Sequence, residues 1–163
     1  MNKQVVFGIV TFLHDLFTAG WIGGLLTLGL AVLPTARRLY GRGPEAVRLM
    51  DALQQRLRWV VYASIVGLAV TGLLLARRNP AFGGLFSFAN AYSAALTAKH
   101  LLSAAMVVVA LVRSIALAPG RAAQTPGNQR RKVMLLIVNM VLGVLVLAAT
   151  AALGALGATP PGR

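Results

Sequence analysis

The sequence predicts an all-α protein, an integral membrane bundle of four helices that cross a lipid bilayer. Of its 163 residues, 58% are hydrophobic and 12% are charged, and the mean hydropathy is +0.76. Soluble domains carry about a quarter charged residues, so this composition is unlike theirs. The apolar residues form four unbroken runs, each close to the roughly 20 residues that a membrane-spanning helix needs.

The whole chain, residues 1–163, is predicted to form one membrane domain. Its four spans cover about residues 5–33, 59–76, 91–117 and 133–156. Pro34 is expected to close the first span, which is too long for a signal peptide and is therefore retained. Gly43-Pro44-Glu45 predicts a helix start, because proline suits the first turn and an acid stabilises the positive helix end. A cytoplasmic helical extension is thus expected over residues 44–58, ahead of the second span.

Basic residues predict the orientation of the spans. The first and third connections hold eleven of them: Arg37, Arg38, Arg42, Arg48, Arg56, Arg58, Arg113, Arg121, Arg130, Arg131 and Lys132. The opposite side holds Lys3, Arg77, Arg78 and Arg163. The positive-inside rule places the basic connections in the cytoplasm, beside anionic lipid headgroups, and both termini outside a bacterial or archaeal plasma (inner) membrane. No separate soluble module is evident, so no nucleic acid partner is predicted.

Two histidines and two charges lie inside the predicted spans. His14 and His100 are the only histidines of the chain, and each lies roughly 14 Å along its helix from the outer end. Asp15 and Lys99 are their neighbours. Because ionisable groups within a span are costly and mark functional sites, the pattern predicts a metal or haem site between spans 1 and 3, with Asp15 and Lys99 tuning its charge. The alternative is an Asp15–Lys99 pair, with histidines bonded to backbone or hydroxyl groups.

The residue types leave the identity of the bound group open. Neutral imidazole binds copper, iron and zinc, and the chain has no cysteine to supply a soft thiolate. A bis-His haem b needs one histidine from each of two helices, and Arg77 and Arg78 would pair with its propionates. Small residues share the His100 face and leave room for a bulky group: Ser93, Thr97, Ser103 and Ala104. Local chemistry therefore favours haem slightly over copper.

Other polar and small residues indicate packing. Gly20 and Gly24 form a GxxxG motif, which permits close helix approach within the chain, in a homodimer or in a larger membrane complex. Asn139 is expected to form a hydrogen bond across helices. The sequence offers no Ser–His–acid set, acidic pair or phosphate-binding loop, so hydrolase and phosphoryl-transfer chemistry have no support and a non-enzyme is favoured. A structural subunit without a cofactor is a third possibility.

Each of the four spans contains short motifs whose order and spacing along the chain are distinctive. They are His14 with Trp21-Ile22-Gly23-Gly24, Arg58-Trp59 with Thr71-Gly72-Leu73-Leu74, Tyr92, Leu96, Lys99, Leu102 and Arg113, and Leu142-Gly143 through Leu153-Gly154 to Pro160-Pro161. In this order and spacing the chain resembles the CopD family, inner-membrane proteins associated with copper transport and resistance. The resemblance implies copper handling, with His14 and His100 binding the ion and with periplasmic copper or redox proteins as partners. A similarity over less of the chain, to HemJ-type protoporphyrinogen oxidases, keeps haem b for electron transfer or porphyrin chemistry as the alternative.

Overall fold

The protein folds as four long helices without strands in the part of the chain that the computed structural model describes, residues 2–77, 87–88, 90–115 and 125–158. The helices are α1 (Lys3–Tyr40), α2 (Pro44–Ala76), α3 (Ala91–Ile115) and α4 (Pro126–Ala158). Each is long and apolar enough to cross a membrane. The predicted all-α, four-helix membrane fold is confirmed.

Helix α1 passes through Pro34 instead of ending there. Two π-helical turns widen it, at Ala19–Gly23 and Thr27–Val32. At the end of the second turn the backbone N–H of Leu33 donates to the carbonyl of Leu28, five residues back. Pro34 then lies in the first turn of the α-helical segment that follows and runs to Tyr40, a position where a missing N–H is tolerated. The expectation that Pro34 closes this helix was wrong.

A tight turn joins α1 to α2. Gly41 has a φ of 64°, in the left-handed region that glycine adopts most readily. Helix α2 begins at Pro44 with Glu45 in its first turn, as the sequence predicts, and continues without a break for 33 residues. At 1.5 Å per residue that is about 50 Å, which exceeds the roughly 30 Å hydrocarbon core of a bilayer.

The helices pack chiefly in two pairs. Helix α1 lies along α2, α3 lies along α4, and the middle of α1 also contacts α4 and so joins the pairs. The main apolar core is built around this junction, from Trp21, Ile22, Leu25, Leu28, Met50, Met106, Leu136 and Val146. A smaller cluster of Ala76, Leu96 and Leu153 lies elsewhere in the bundle.

Polar side chains are buried inside the bundle while large apolar ones face outward. Examples of outward-facing apolar residues with more than half of their surface exposed are Phe12, Leu30, Val66, Val108 and Val141. The buried polar residues are Ser64, Thr71, Ser93, Thr97, Lys132 and Asn139. A lipid environment suits this outer surface, and polar groups that face a bundle interior are functional candidates.

Candidate functional site

His14 of α1 points toward α2 and is held there by Thr71. Its Nδ1 lies 2.8 Å from the Thr71 hydroxyl oxygen, and that hydroxyl donates its proton to the Gly67 carbonyl at 2.6 Å. Because a hydroxyl has one proton to donate, the Thr71 oxygen must accept from His14. The hydrogen-bond network therefore assigns the proton of the neutral ring to Nδ1 and leaves the lone pair of Nε2 available as a ligand.

Small residues of α2 let the ring approach this closely. A Cβ added at Gly72 would lie 3.4 Å from His14 Cε1, and one added at Gly67 would collide with the Phe17 ring. Thr18 donates to the His14 carbonyl at 2.8 Å. The orientation of His14 is thus set by the α1–α2 interface.

Lys99 brings a charge from α3 to the same region. It lies within electrostatic range of His14 and of Asp15. Within the described residues no salt bridge joins Asp15 to Lys99. The Asp15 side chain is exposed, and Lys99 is half-buried.

His100 follows Lys99 on α3. It is half-buried, and its Nδ1 is buried. Thr97, one turn earlier, donates to the Ser87 carbonyl at 3.0 Å and accepts from the Ser87 N–H at 3.1 Å, which ties α3 to the chain before it. No group of three or more His, Cys, Asp or Glu side chains able to hold a metal occurs among the described residues. The two-histidine site therefore stays a prediction.

The other predicted site residues have separate surroundings. Arg77 is exposed at the end of α2, and Arg78 lies outside the described residues. A Cβ at Gly20 would meet Val60 at 3.5 Å, and one at Gly24 would meet Leu57 at 3.8 Å. The GxxxG motif therefore faces α2 within the same chain.

Asn139 is fully buried, yet neither atom of its amide has a hydrogen-bond partner in the part of the chain that the structure describes. The interhelical hydrogen bond expected of Asn139 is therefore absent among the described residues. Its side chain instead lines a pocket between all four helices, whose lining also includes several other polar side chains.

This central pocket is a second polar site, which the sequence did not predict. Trp21 comes from α1, Arg58 from α2, Arg113 from α3, and Lys132 and Asn139 from α4. At its edge the Lys132 ammonium donates to the Asp51 carboxylate at 2.9 Å. On its wall the hydroxyls of Tyr62 and Ser114 are hydrogen-bonded at 2.5 Å.

A known protein family matches most of this chain. The family model of copper resistance protein D matches residues 51–153, more than half of the chain. The chain belongs to the copper resistance protein D family. No curated protein and no solved structure matches it. With its four apolar helices, this is a multi-pass membrane protein related to copper resistance, as the CopD resemblance implied.

The range that matches copper resistance protein D contains residues of both polar sites. Thr71, Lys99 and His100 fall inside it, as do Arg58, Arg113, Lys132 and Asn139. Helix α1, with His14 and Asp15, precedes it.

A signal for the central pocket does exist in the sequence. Polar residues recur on one face of α2 at helical spacing, at Asp51, Gln54, Gln55, Arg58 and Tyr62. From the sequence alone, Arg58, Arg113 and Lys132 are interpreted as topology signals, and Arg58 and Arg113 also as residues of the family motifs.

Proposed function

We propose that this CopD-family protein handles copper in transport or resistance, with His14 and His100 as the ligands. The observation that carries the proposal is the hydrogen bond from His14 Nδ1 to Thr71, which leaves Nε2 with its lone pair. Imidazole nitrogen is a good copper ligand. Histidines that bind metals usually donate their other ring N–H to a fixed acceptor, as His14 does to Thr71.

The placement of Lys99 supports His100 as the second ligand. Because Lys99 is within electrostatic range of His14 and Asp15, we place this turn of α3 beside the ligand-bearing turn of α1 in the proposed site. His100 is the next residue on α3. In the proposed site, the carboxylate of Asp15 offsets the charge of Lys99, which would otherwise repel a cation.

The distribution of basic residues supports the proposed setting. Both termini lie outside the plasma membrane of a bacterium or archaeon, and the basic connections lie in the cytoplasm beside anionic headgroups. The histidines are then toward the outer leaflet, where periplasmic copper or redox proteins would exchange copper or electrons with the site.

The test is metal analysis of the protein purified in detergent and loaded with copper. We expect near-stoichiometric copper in the wild type, and its loss in both His14→Ala and His100→Ala. Thr11→Ala is the matched control, because Thr11 lies one turn before His14 and its hydroxyl donates to the carbonyl of Phe7. Copper retained by both histidine variants, or no copper in the wild type, would contradict the two-histidine site.

A visible spectrum before and after dithionite separates copper from haem. The proposal predicts no Soret band. A Soret band with sharp reduced bands, absent from both histidine variants, would assign the same residues to haem b and overturn copper as the ligand.

Copper accumulation in cells tests the physiological role. Deletion of the gene, complemented by wild type or by His14→Ala, is expected to change the copper content of cells, with only the wild type restoring it. Unchanged copper content after deletion would contradict a role in copper handling.

A further inference from the structure

The central pocket contains buried hydrogen-bonding groups that nothing in the described part of the chain satisfies. Asn139 is 0% exposed and Trp21 is 4% exposed, and both line the pocket. The Trp21 Nε1, both amide atoms of Asn139, and the Nε atoms of Arg58 and Arg113 are buried without protein partners. Buried polar groups are nearly always hydrogen-bonded to protein, water or ligand. The pocket is therefore suited to a polar occupant.

The charges of the pocket select an anion. Lys132 is paired with Asp51, so the excess positive charge comes from Arg58 and Arg113 on neighbouring walls. Guanidinium and indole N–H groups only donate hydrogen bonds, so they match an occupant rich in acceptors. The Arg58 guanidinium lies over the Trp59 ring, 5.7 Å from its centroid, and neither arginine forms a salt bridge in the described part of the chain. Two guanidinium groups without a carboxylate partner would repel a cation, whereas they bind phosphate and carboxylate well.

The distribution of donors over the four helices favours a small tetrahedral oxyanion. Its donors are contributed by all four helices and so surround the space from several sides, whereas a planar carboxylate presents two oxygens in one direction. The cavity volume is about 90 Å³, several times the roughly 10–15 Å³ that one water needs. Most of the wall surface is apolar, with contributions from Leu25, Leu28 and Val61, which suits a group attached to a hydrocarbon chain.

A basic vestibule adjoins the pocket at the end of the bundle that carries the α1–α2 turn. This larger cavity measures about 550 Å³ and is lined by Arg37, Arg42, Arg48 and Arg130, among others. It shares Asp51, Gln54 and Lys132 with the central pocket, so the Asp51–Lys132 pair lies between the two. Clustered positive charge raises the local concentration of anions and steers them inward.

We propose that the central pocket binds a phosphate oxyanion that enters through the basic vestibule. The phosphate is either a free ion or the headgroup of an anionic lipid, and the same donors recognise both. The side chains that bind the phosphate are Trp21, Arg58, Arg113 and Asn139. The phosphate passes the Asp51–Lys132 pair on its way from the basic vestibule to the central pocket. This site is separate from the proposed copper site, since Trp21 lies seven residues after His14, about 10 Å along α1.

The first experiment is thermal unfolding of delipidated protein in a neutral detergent, titrated with inorganic phosphate against chloride at equal ionic strength. A ligand that binds the folded state raises the unfolding temperature in a saturable way. If the occupant is a free ion, we expect this in the wild type and in Arg56→Gln, whose arginine is exposed on α2 outside the pocket. Arg113→Gln is expected to weaken the apparent affinity at least tenfold.

Trp21→Phe is a second variant, which keeps the proposal testable if Arg113→Gln does not fold. It removes one N–H while it keeps an aromatic ring in the core, so several-fold weaker binding with an intact thermal transition supports the proposal. Equal stabilisation of wild type, Trp21→Phe and Arg113→Gln by phosphate would overturn it.

The second experiment identifies the source of the phosphate. The same proteins are titrated with phosphatidylglycerol or phosphatidylcholine in mixed micelles. Stabilisation by inorganic phosphate identifies a free ion, and stabilisation only by phosphatidylglycerol identifies an anionic lipid, provided that Arg113→Gln weakens either effect. If neither probe stabilises the wild type, or if phosphatidylcholine does so equally well, the pocket does not bind an anionic phosphate.

Discussion

The proton on Nδ1 of His14 determines what this residue can bind. Thr71 already gives its hydroxyl proton to Gly67 and so accepts from the ring. When the ring is neutral, these two contacts place its proton on Nδ1 and leave the lone pair on Nε2. His14 is thus prepared as a ligand by residues of another helix that do not themselves bind the ion.

Replacing Thr71 with valine tests this arrangement at the level of one hydrogen bond. Thr71→Val keeps the side-chain shape and removes the acceptor, so we expect copper affinity to fall about 10- to 100-fold, as is typical when such a partner is lost. Competition with a copper chelator measures the affinity. Thr71→Ser keeps the hydroxyl and is expected to bind nearly as well as the wild type; equal affinity of Thr71→Val and wild type would contradict the role of Thr71.

The Asp51–Lys132 pair is predicted to stabilise the bundle mainly by mutual neutralisation. Lys132→Met leaves Asp51 without its partner, and we expect a loss of about 2 kcal/mol of unfolding free energy, less than for a fully buried pair. The reason is that 22% of the Asp51 side chain remains exposed. Denaturation in mixed micelles measures the loss.

The double variant Asp51→Asn, Lys132→Met is the control for that prediction. It has no uncompensated charge, and we expect it to regain part of the lost stability. A single variant as stable as the wild type would show that the pair is energetically neutral.

At the level of helices, the contact between α1 and α2 depends on Gly67. An added methyl there would collide with the Phe17 ring, which is stiff, whereas one at Gly29 would meet only the flexible end of Met140. We expect Gly67→Ala to lower the unfolding free energy by about 1–3 kcal/mol, and Gly29→Ala to cost less. The measurement is again denaturation in mixed micelles.

Gly8→Ala is the control for this comparison, because nothing lies within 4 Å of its added Cβ. Phe17→Leu is expected to rescue Gly67→Ala in part by making room. If Gly67→Ala behaves like Gly8→Ala, the close approach of α1 and α2 at Gly67 is contradicted.

The existence of the four helices was predictable because it depends on local sequence. Each apolar run specifies a helix, and Pro44 with Glu45 marks the start of α2. Pro34 misled the prediction because the rule that proline ends a helix assumes a regular α-helix before it. The π-helical turn at Thr27–Val32 changes the backbone register there, and sequence periodicity does not reveal such a turn.

The candidate sites were only partly predictable, because their partners are far apart in sequence. His14 and Lys99 stand out as ionisable residues within spans. Thr71 follows His14 by 57 positions, and Lys132 follows Asp51 by 81. Only packing brings these pairs together, so the sequence predicted residues of the histidine site but neither its hydrogen bonds nor the central pocket.

At the level of the whole molecule, the orientation can be tested with introduced cysteines, since the chain contains none. Asn2→Cys marks the amino terminus and Tyr40→Cys marks the end of α1 beside the α1–α2 turn. In intact cells, a membrane-impermeant maleimide is expected to label Asn2→Cys and to label Tyr40→Cys only after permeabilisation. The reverse pattern would contradict the orientation derived from the basic connections.

The central claim is that imidazoles from two helices hold copper in this CopD-family protein. X-ray absorption at the copper edge of the loaded protein identifies the ligand atoms directly. We expect nitrogen scattering with the outer-ring pattern of imidazole, no sulfur, and loss of this signal in His14→Ala and in His100→Ala. Sulfur among the nearest atoms would point to methionine, since cysteine is absent, and that result, or an unchanged spectrum in His14→Ala, would contradict the proposed site.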